Sequence, residues 1–264
     1  MDEEIVFSRF NKGQVTIWII LGIVLVVSIV LFFILGRNIN FVQPPEGESV
    51  FDVQAAVDSC VQKYTTEAVD LMLPQGGFVE PENAKFFDNT NIEYLCENIG
   101  YYNPCVQQHS MLLREMEQEI VSYLTPRVSG CLNEMKQGVK KRQGKIVIEP
   151  GAPRIYVNLE PDRILVRTEK QMKISMKGQT RTYDSFESIV IHPAYDLGSV
   201  AVEIAAQEAK YCNFEYVGYK IMYPRFTITK YVTSDSSNIY TIIDTKTDKK
   251  MNIAIRSCLI PAGI

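Results

Sequence analysis

The residues best equipped for chemistry are six cysteines, Cys60, Cys96, Cys105, Cys131, Cys212 and Cys258. A thiol can ligate zinc, exchange electrons or close a disulfide, and spacing separates these uses. Zinc and redox sites draw on C-x-x-C pairs, and zinc sites also on histidine. No C-x-x-C pair occurs, and the two histidines, His109 and His192, lie far apart, the second just before Pro193. Six cysteines, all beyond residue 59, read as structural bridges in an oxidising compartment.

Other reactive patterns are missing. The sequence has no G-x-S-x-G elbow to hold a serine nucleophile, and no G-x-x-x-x-G-K-[ST] or G-x-G-x-x-G loop to cradle phosphate. Asp244, Lys246 and Asp248 read as a hairpin turn rather than a calcium loop, because lysines stand where ligands would be needed. Glu115, Glu117 and Glu119 fall on the polar side of a helix and need no special role. A spatial pair of carboxylates for glycoside hydrolysis would not show in the sequence. No catalytic residue, metal ligand or cofactor is expected. The net charge of −4 and the single basic cluster, Lys136, Lys140, Lys141, Arg142 and Lys145, argue against nucleic acid as a partner.

The elements that must position the cysteines begin with an apolar run. Val15–Leu35 carries no charge; as a helix it would be roughly 31 Å long, the depth of a bilayer's hydrocarbon core. It is longer than the apolar region of a cleaved secretory signal. Arg9 and Lys12 precede it, whereas Arg37 is the only basic residue in the next 25, where Glu46, Glu48 and Asp52 appear instead, so the amino terminus is expected in the cytoplasm and the bulk outside the cell membrane. This gives a cytoplasmic leader (1–13), a membrane helix (14–37) with lipid as its partner, and a stalk (38–49) marked by Pro44, Pro45 and Gly47.

Two amphipathic helices follow. One carries the stripe Val53, Val57, Cys60, Tyr64, Ala68, Leu71; the other Leu113, Met116, Ile120, Leu124, Val128, Cys131, Met135. Packed together they would bring Cys60 to Cys131. Cys96 and Cys105 bracket Asn103-Pro104 and suit a local bridge, which leaves Cys212 with Cys258. Pro126 is expected to kink or split the second helix near Tyr123. From Lys145 the period becomes two. Ile164, Val166, Thr168, Lys170, Met172, Ile174 and Met176 share one face of the clearest strand. A helix is expected over 194–210, and strands near 216–223, 225–233, 238–244 and 251–258. The fold class is therefore α+β: a membrane helix, then an extracellular domain with a helical part (50–144) and an antiparallel sheet part with one helix (145–264), stapled by disulfides.

Lys12, Gly13 and Gln14, set directly before the apolar run, resemble the processing site of archaeal type IV pilin-like (class III) signal peptides. That likeness implies cleavage between Gly13 and Gln14 and retention of the helix for filament packing; Trp18 stands at the fifth mature position, where pilins often carry Glu. Segments such as "VDSCVQKYTTEAVDLMLPQGGFV" and "IYTIIDTKTDKKMNIAIRSC" resemble membrane-anchored surface proteins of small-genome archaea. The expected function is that of a single-pass surface protein with a structural, adhesion or binding role, its partners other surface proteins or identical subunits. The alternatives are a pilin-like subunit and a membrane-anchored hydrolase or sugar-active enzyme.

Overall fold

The computed structural model describes residues 20–28 and 52–257, apart from 99, 101, 102 and 177. The chain divides into two units, Met1–Val50 and Phe51–Ile264. In the first, residues 20–28 form helix α1, whose seven large apolar side chains from Ile20 to Val27 are all exposed. Among the described residues no helix is long and apolar enough to cross a membrane. The expected leader and stalk, most of the expected membrane helix, the processing site Lys12, Gly13, Gln14, and Cys258 lie outside the described residues.

The second unit is α+β. Helix α2 (Val53–Met72) starts at Asp52, whose carboxylate accepts from Ala55 N and satisfies an otherwise free donor of the first turn. A single 3₁₀ turn, Leu73–Gln75, then hands the chain to Gly76, whose φ of +86° suits glycine. The buried face of α2 is Val53, Val57, Val61, Thr65, Ala68, Val69 and Met72. It is rotated slightly from the expected stripe, so Leu71 is exposed and Cys60 sits at the edge of the face.

Three strands follow where only helix was expected: β1 (Ala84–Phe87), β2 (Thr90–Glu97) and β3 (Val106–Gln107). Asp88 and Asn89 turn the β1–β2 hairpin with φ of 47° and 60°, a left-handed pair that Asp and Asn tolerate. Helix α3 (Leu112–Lys141) is continuous through Pro126, against the expected break. Pro126 supplies no N–H for the Ser122 carbonyl. On either side, Thr125 Oγ1 donates to Val121 O (2.8 Å) and Arg127 Nη1 to Tyr123 O (2.9 Å), while Met116, Ile120, Leu124 and Val128 hold the inner face in the core.

Strands β4 (Lys145–Ile148), β5 (Arg154–Glu160), β6 (Arg163–Met176) and β7 (Gln179–Ile191) make an antiparallel sheet. β7 takes one edge of the long β6, and β4 and β5 share the other. Helices α2 and α3 cover its inner face through Ile155, Leu159, Ile164, Val166, Phe186 and Val190.

Helix α4 (Ala194–Tyr211) lies against a second sheet, ordered β1-β2-β10-β9-β8, with β3 also on β2. Its members β8 (Phe226–Val232), β9 (Asn238–Asp244) and β10 (Lys250–Arg256) form a meander. β10 pairs with β2 in parallel. There are thus two sheets rather than one, and the second is mixed, because it recruits strands from both ends of the unit. Gly198 of α4 sits so close to α3 that an added Cβ would lie 2.7 Å from Leu113 Cδ2.

The stretch 216–223, expected as a strand, is largely helix α5 (Tyr216–Met222). Its period is three and four: Tyr216, Tyr219 and Tyr223 recur on one side, and the Glu215 carboxylate accepts from Val217 N and Gly218 N at its start. The region beyond 145 therefore holds two helices, not one.

Candidate functional site

A groove of ≈460 Å³ lies on the sheet of β4–β7. It exists because β6 carries one residue too many. Glu169 faces Ser185 and Met172 faces Tyr183, so Lys170 and Gln171 together oppose Asp184. A bulge of this kind bends the strand and re-aims side chains. On the other edge the chain leaves β4 and rejoins as β5, passing over the bulge through Glu149 to Pro153. Glu149 N donates to Gln171 O at 3.0 Å. Gly151 turns with a φ of +97°, a conformation open to glycine.

Lys170 continues the apolar register of β6 and is only 6% exposed. A buried ammonium needs acceptors. It finds Gly151 O at 2.6 Å and Pro150 O at 3.4 Å, and so ties the crossing loop to the bulge. Around it stand Glu149, Arg154, Arg167, Glu169 and Asp184. One rung of the sheet aligns Arg154, Glu169 and Ser185; the next on that face aligns Tyr156, Arg167 and Glu187. Arg167 and Glu169 pair at 3.1 Å. Arg154, Lys170, Glu149 and Asp184 form no ion pair among the described residues. With Lys170 engaged by the loop carbonyls, the groove offers the guanidinium of Arg154 beside the carboxylates of Glu149 and Asp184, with the exposed ring of Tyr156 on the next rung. Hydroxyl groups, which donate and accept at one atom, match such a lining.

None of these groove residues has a motif in the sequence. The one legible signal is Lys170 itself, a lysine in the apolar register of the most regular strand.

The cysteines fall as follows. Cys60 joins Cys131 across α2 and α3, with Cα atoms 6.5 Å apart, and Cys96 joins Cys105 at 5.4 Å. Cys212, the left-handed residue that ends α4, is disulfide-bonded, and its expected partner Cys258 lies outside the described residues. A shallower groove of ≈350 Å³, lined by Val57, Tyr64, Leu132 and Met135, runs beside the Cys60–Cys131 bridge.

The two histidines sit apart. His109 Nδ1 meets Glu115 Oε2 at 2.5 Å, and its Nε2 lies 3.5 Å from Glu93 Oε1. Glu93 is itself buried and accepts from Glu82 N and Asn83 N. His192 is buried, and Asp70 Oδ1 is 3.5 Å from its Nε2, too long to count as a hydrogen bond. Burial pushes its imidazole below the usual range, Lys249 adds to that, and Asp70 opposes it.

Glu115, Glu117 and Glu119, expected to need no special role, each hold another segment. Glu115 takes His109, Glu117 accepts from Leu159 N (2.9 Å) and Glu119 from Val79 N (2.9 Å). Asp244 belongs to the β9–β10 hairpin. Its carboxylate accepts from Lys246 N, Thr247 Oγ1 and Arg225, which leaves it engaged by protein donors. Among the described residues no group of three or more His, Cys, Asp or Glu side chains is placed to hold a metal ion.

A last polar cluster lies at the end of α4. Buried Glu208 receives the Tyr240 hydroxyl and, at 3.2 Å, Lys230 Nζ on Oε1, while its Oε2 has no partner. Burial and the adjacent carboxylate push the Tyr240 hydroxyl far above its usual range. No family model, curated protein or solved structure matches this chain.

Proposed function

We propose that the chain is a single-pass membrane protein, amino terminus in the cytoplasm, whose outer unit is a disulfide-stapled binding module. Its ligand is a carbohydrate held in the groove at the β6 bulge. The observation that carries this reading is the set Arg154, Glu149 and Asp184, which form no ion pair among the described residues and line one concave surface. Sugars present vicinal hydroxyls that satisfy donors and acceptors together, and Tyr156 supplies a flat apolar face for a pyranose ring. Bilayer anchorage is supported by the uncharged run Val15–Leu35 and by the uncovered apolar side chains of α1. The bridges support an oxidising exterior.

The test is binding of the full chain, held in lipid nanodiscs, to a panel of neutral and acidic oligosaccharides. Arg154→Ala and Asp184→Ala should each weaken binding about tenfold, the loss of a charge-assisted hydrogen bond. Absence of binding to every oligosaccharide sinks the reading. Protease digestion of whole cells tests placement separately: a protected outer unit refutes display.

A second reading draws on the three carboxylates Glu149, Glu169 and Asp184 in the same groove, which suits glycoside hydrolysis. Product analysis after incubation with a bound oligosaccharide separates binding from cleavage. Amino-terminal sequencing of native protein decides the pilin-like alternative, since processing would start the chain at Gln14.

A further inference from the structure

We infer that helix α5 is a foot by which the outer unit rests on a lipid surface; this builds on the reading that residues 15–35 span a bilayer. In the second unit, exposed large apolar side chains concentrate at Tyr211, Val217, Ile221, Met222 and Tyr223. Ile221 is 78% exposed and Met222 73%. Scattered single apolar residues are ordinary on a surface, whereas a contiguous group marks a contact.

The group is mounted firmly. Tyr219 packs against Phe214 and Tyr223, with ring centroids 5.3 and 4.7 Å away, and Phe214 is buried edge-on against Tyr240. The Glu215 carboxylate fixes the first turn and the disulfide at Cys212 fixes the chain just before it. With Tyr216 and Tyr219 half-buried against the core, α5 sends Val217 and Ile221, one turn apart, outward together.

The rim selects lipid over another protein. Tyr211 and Tyr223 are exposed on either side of the apolar residues in the chain, Lys210 lies over the Tyr211 ring, and Lys220 precedes Ile221. Tyrosine and lysine are the residues that settle at headgroup level, and lysine adds attraction to anionic lipid. The tether restricts the partner further. Residues 36–52 separate the apolar run from α2. Fully extended they reach about 55 Å, so an anchored copy meets its own membrane at high effective concentration.

The experiment uses the full chain in vesicles of phosphatidylcholine with a minority of phosphatidylglycerol. A nitroxide is placed at Ile221→Cys and, as a control, at Thr182→Cys on the exposed end of β7; no free cysteine among the described residues competes for the label. Collision with lipid-soluble oxygen, relative to a water-soluble nickel chelate, should be about fivefold greater at 221 than at 182. Adding Met222→Asp and Val217→Asp should remove that difference. Equal nickel access at both sites overturns the inference, and so does shielding of 221 from both quenchers, which would mean that protein covers it. A chain that fails to float with the vesicles refutes the anchor itself, a separate result from a floating chain whose residue 221 is wet.

Discussion

Arg225 grips Asp244 with two parallel hydrogen bonds, Nε to Oδ1 at 3.0 Å and Nη2 to Oδ2 at 3.2 Å. The same guanidinium reaches Asp196 Oδ1 (3.2 Å) at the start of α4 and Asp162 Oδ1 (2.7 Å) in the β5–β6 turn. One side chain thus fastens both sheets and a helix. Burial works against the Asp244 charge, but bonds from Arg225, Thr247 and Lys246 N hold the carboxyl below its usual range.

Arg225→Met should destabilise the fold by about 3 kcal/mol, because it leaves the fully buried Asp244 carboxylate without its counter-ion. Arg225→Lys should recover only part of this, since an ammonium cannot reproduce the forked contact. Urea denaturation of the full chain in detergent measures both.

His192 predicts a pH dependence. Its folded-state affinity for a proton is lowered by burial, while in the unfolded chain it titrates near pH 6.5. Above that value it is neutral in both states and contributes nothing. As pH falls below about 6.5 the unfolded chain gains a proton that the fold resists, and stability drops by at most about 1.4 kcal/mol per pH unit. Asp244, lowered in the fold, loses its contribution only below the unfolded carboxylate value of about 3.9. Denaturation midpoints taken from about pH 7.5 to 5 should fall in the native chain and stay flatter in His192→Asn.

Replacing Cys60 and Cys131 by serine reopens a 71-residue separation. Loop entropy in the unfolded chain then costs the fold roughly 4 kcal/mol. A melting temperature unchanged by the double substitution would contradict the role of this bridge.

Pro126→Ala should stabilise by about 1–3 kcal/mol, since it restores an N–H to the ladder of α3 and relieves the ring's crowding of the preceding turn. Residue 126 is exposed, so no packing is lost. Thermal denaturation reads the gain directly.

The elements legible in the sequence are those whose period is long and whose burial is one-sided. α3 repeats its apolar positions over thirty residues, and β6 alternates for fourteen. The Cys60–Cys131 bridge was legible because both stripes contain their cysteine. β1–β3 were not, because they are short and β2 is buried along most of its length, so no alternation marks it. α5 misled because closely spaced tyrosines suit a strand in composition and a helix in period. Pro126 shows only its local cost in the sequence, whereas the surrounding core decides whether a helix breaks. The groove was least legible of all: it arises from one surplus residue in β6, and its charged groups converge from three strands and a loop.

The parallel seam between β2 and β10 sets a waiting time. A ribosome delivers β2 long before its neighbour, with 152 residues between Glu97 and Lys250; at ordinary elongation speeds this is on the order of ten to thirty seconds. Until residue 256 emerges, one side of β2 stays bare and ready to stick to any extended chain nearby. Its pairing with β1 and β3 and the short link from Cys96 to Cys105 can form early but leave that side uncovered, so nascent chains should depend on a holding chaperone until the last strand arrives.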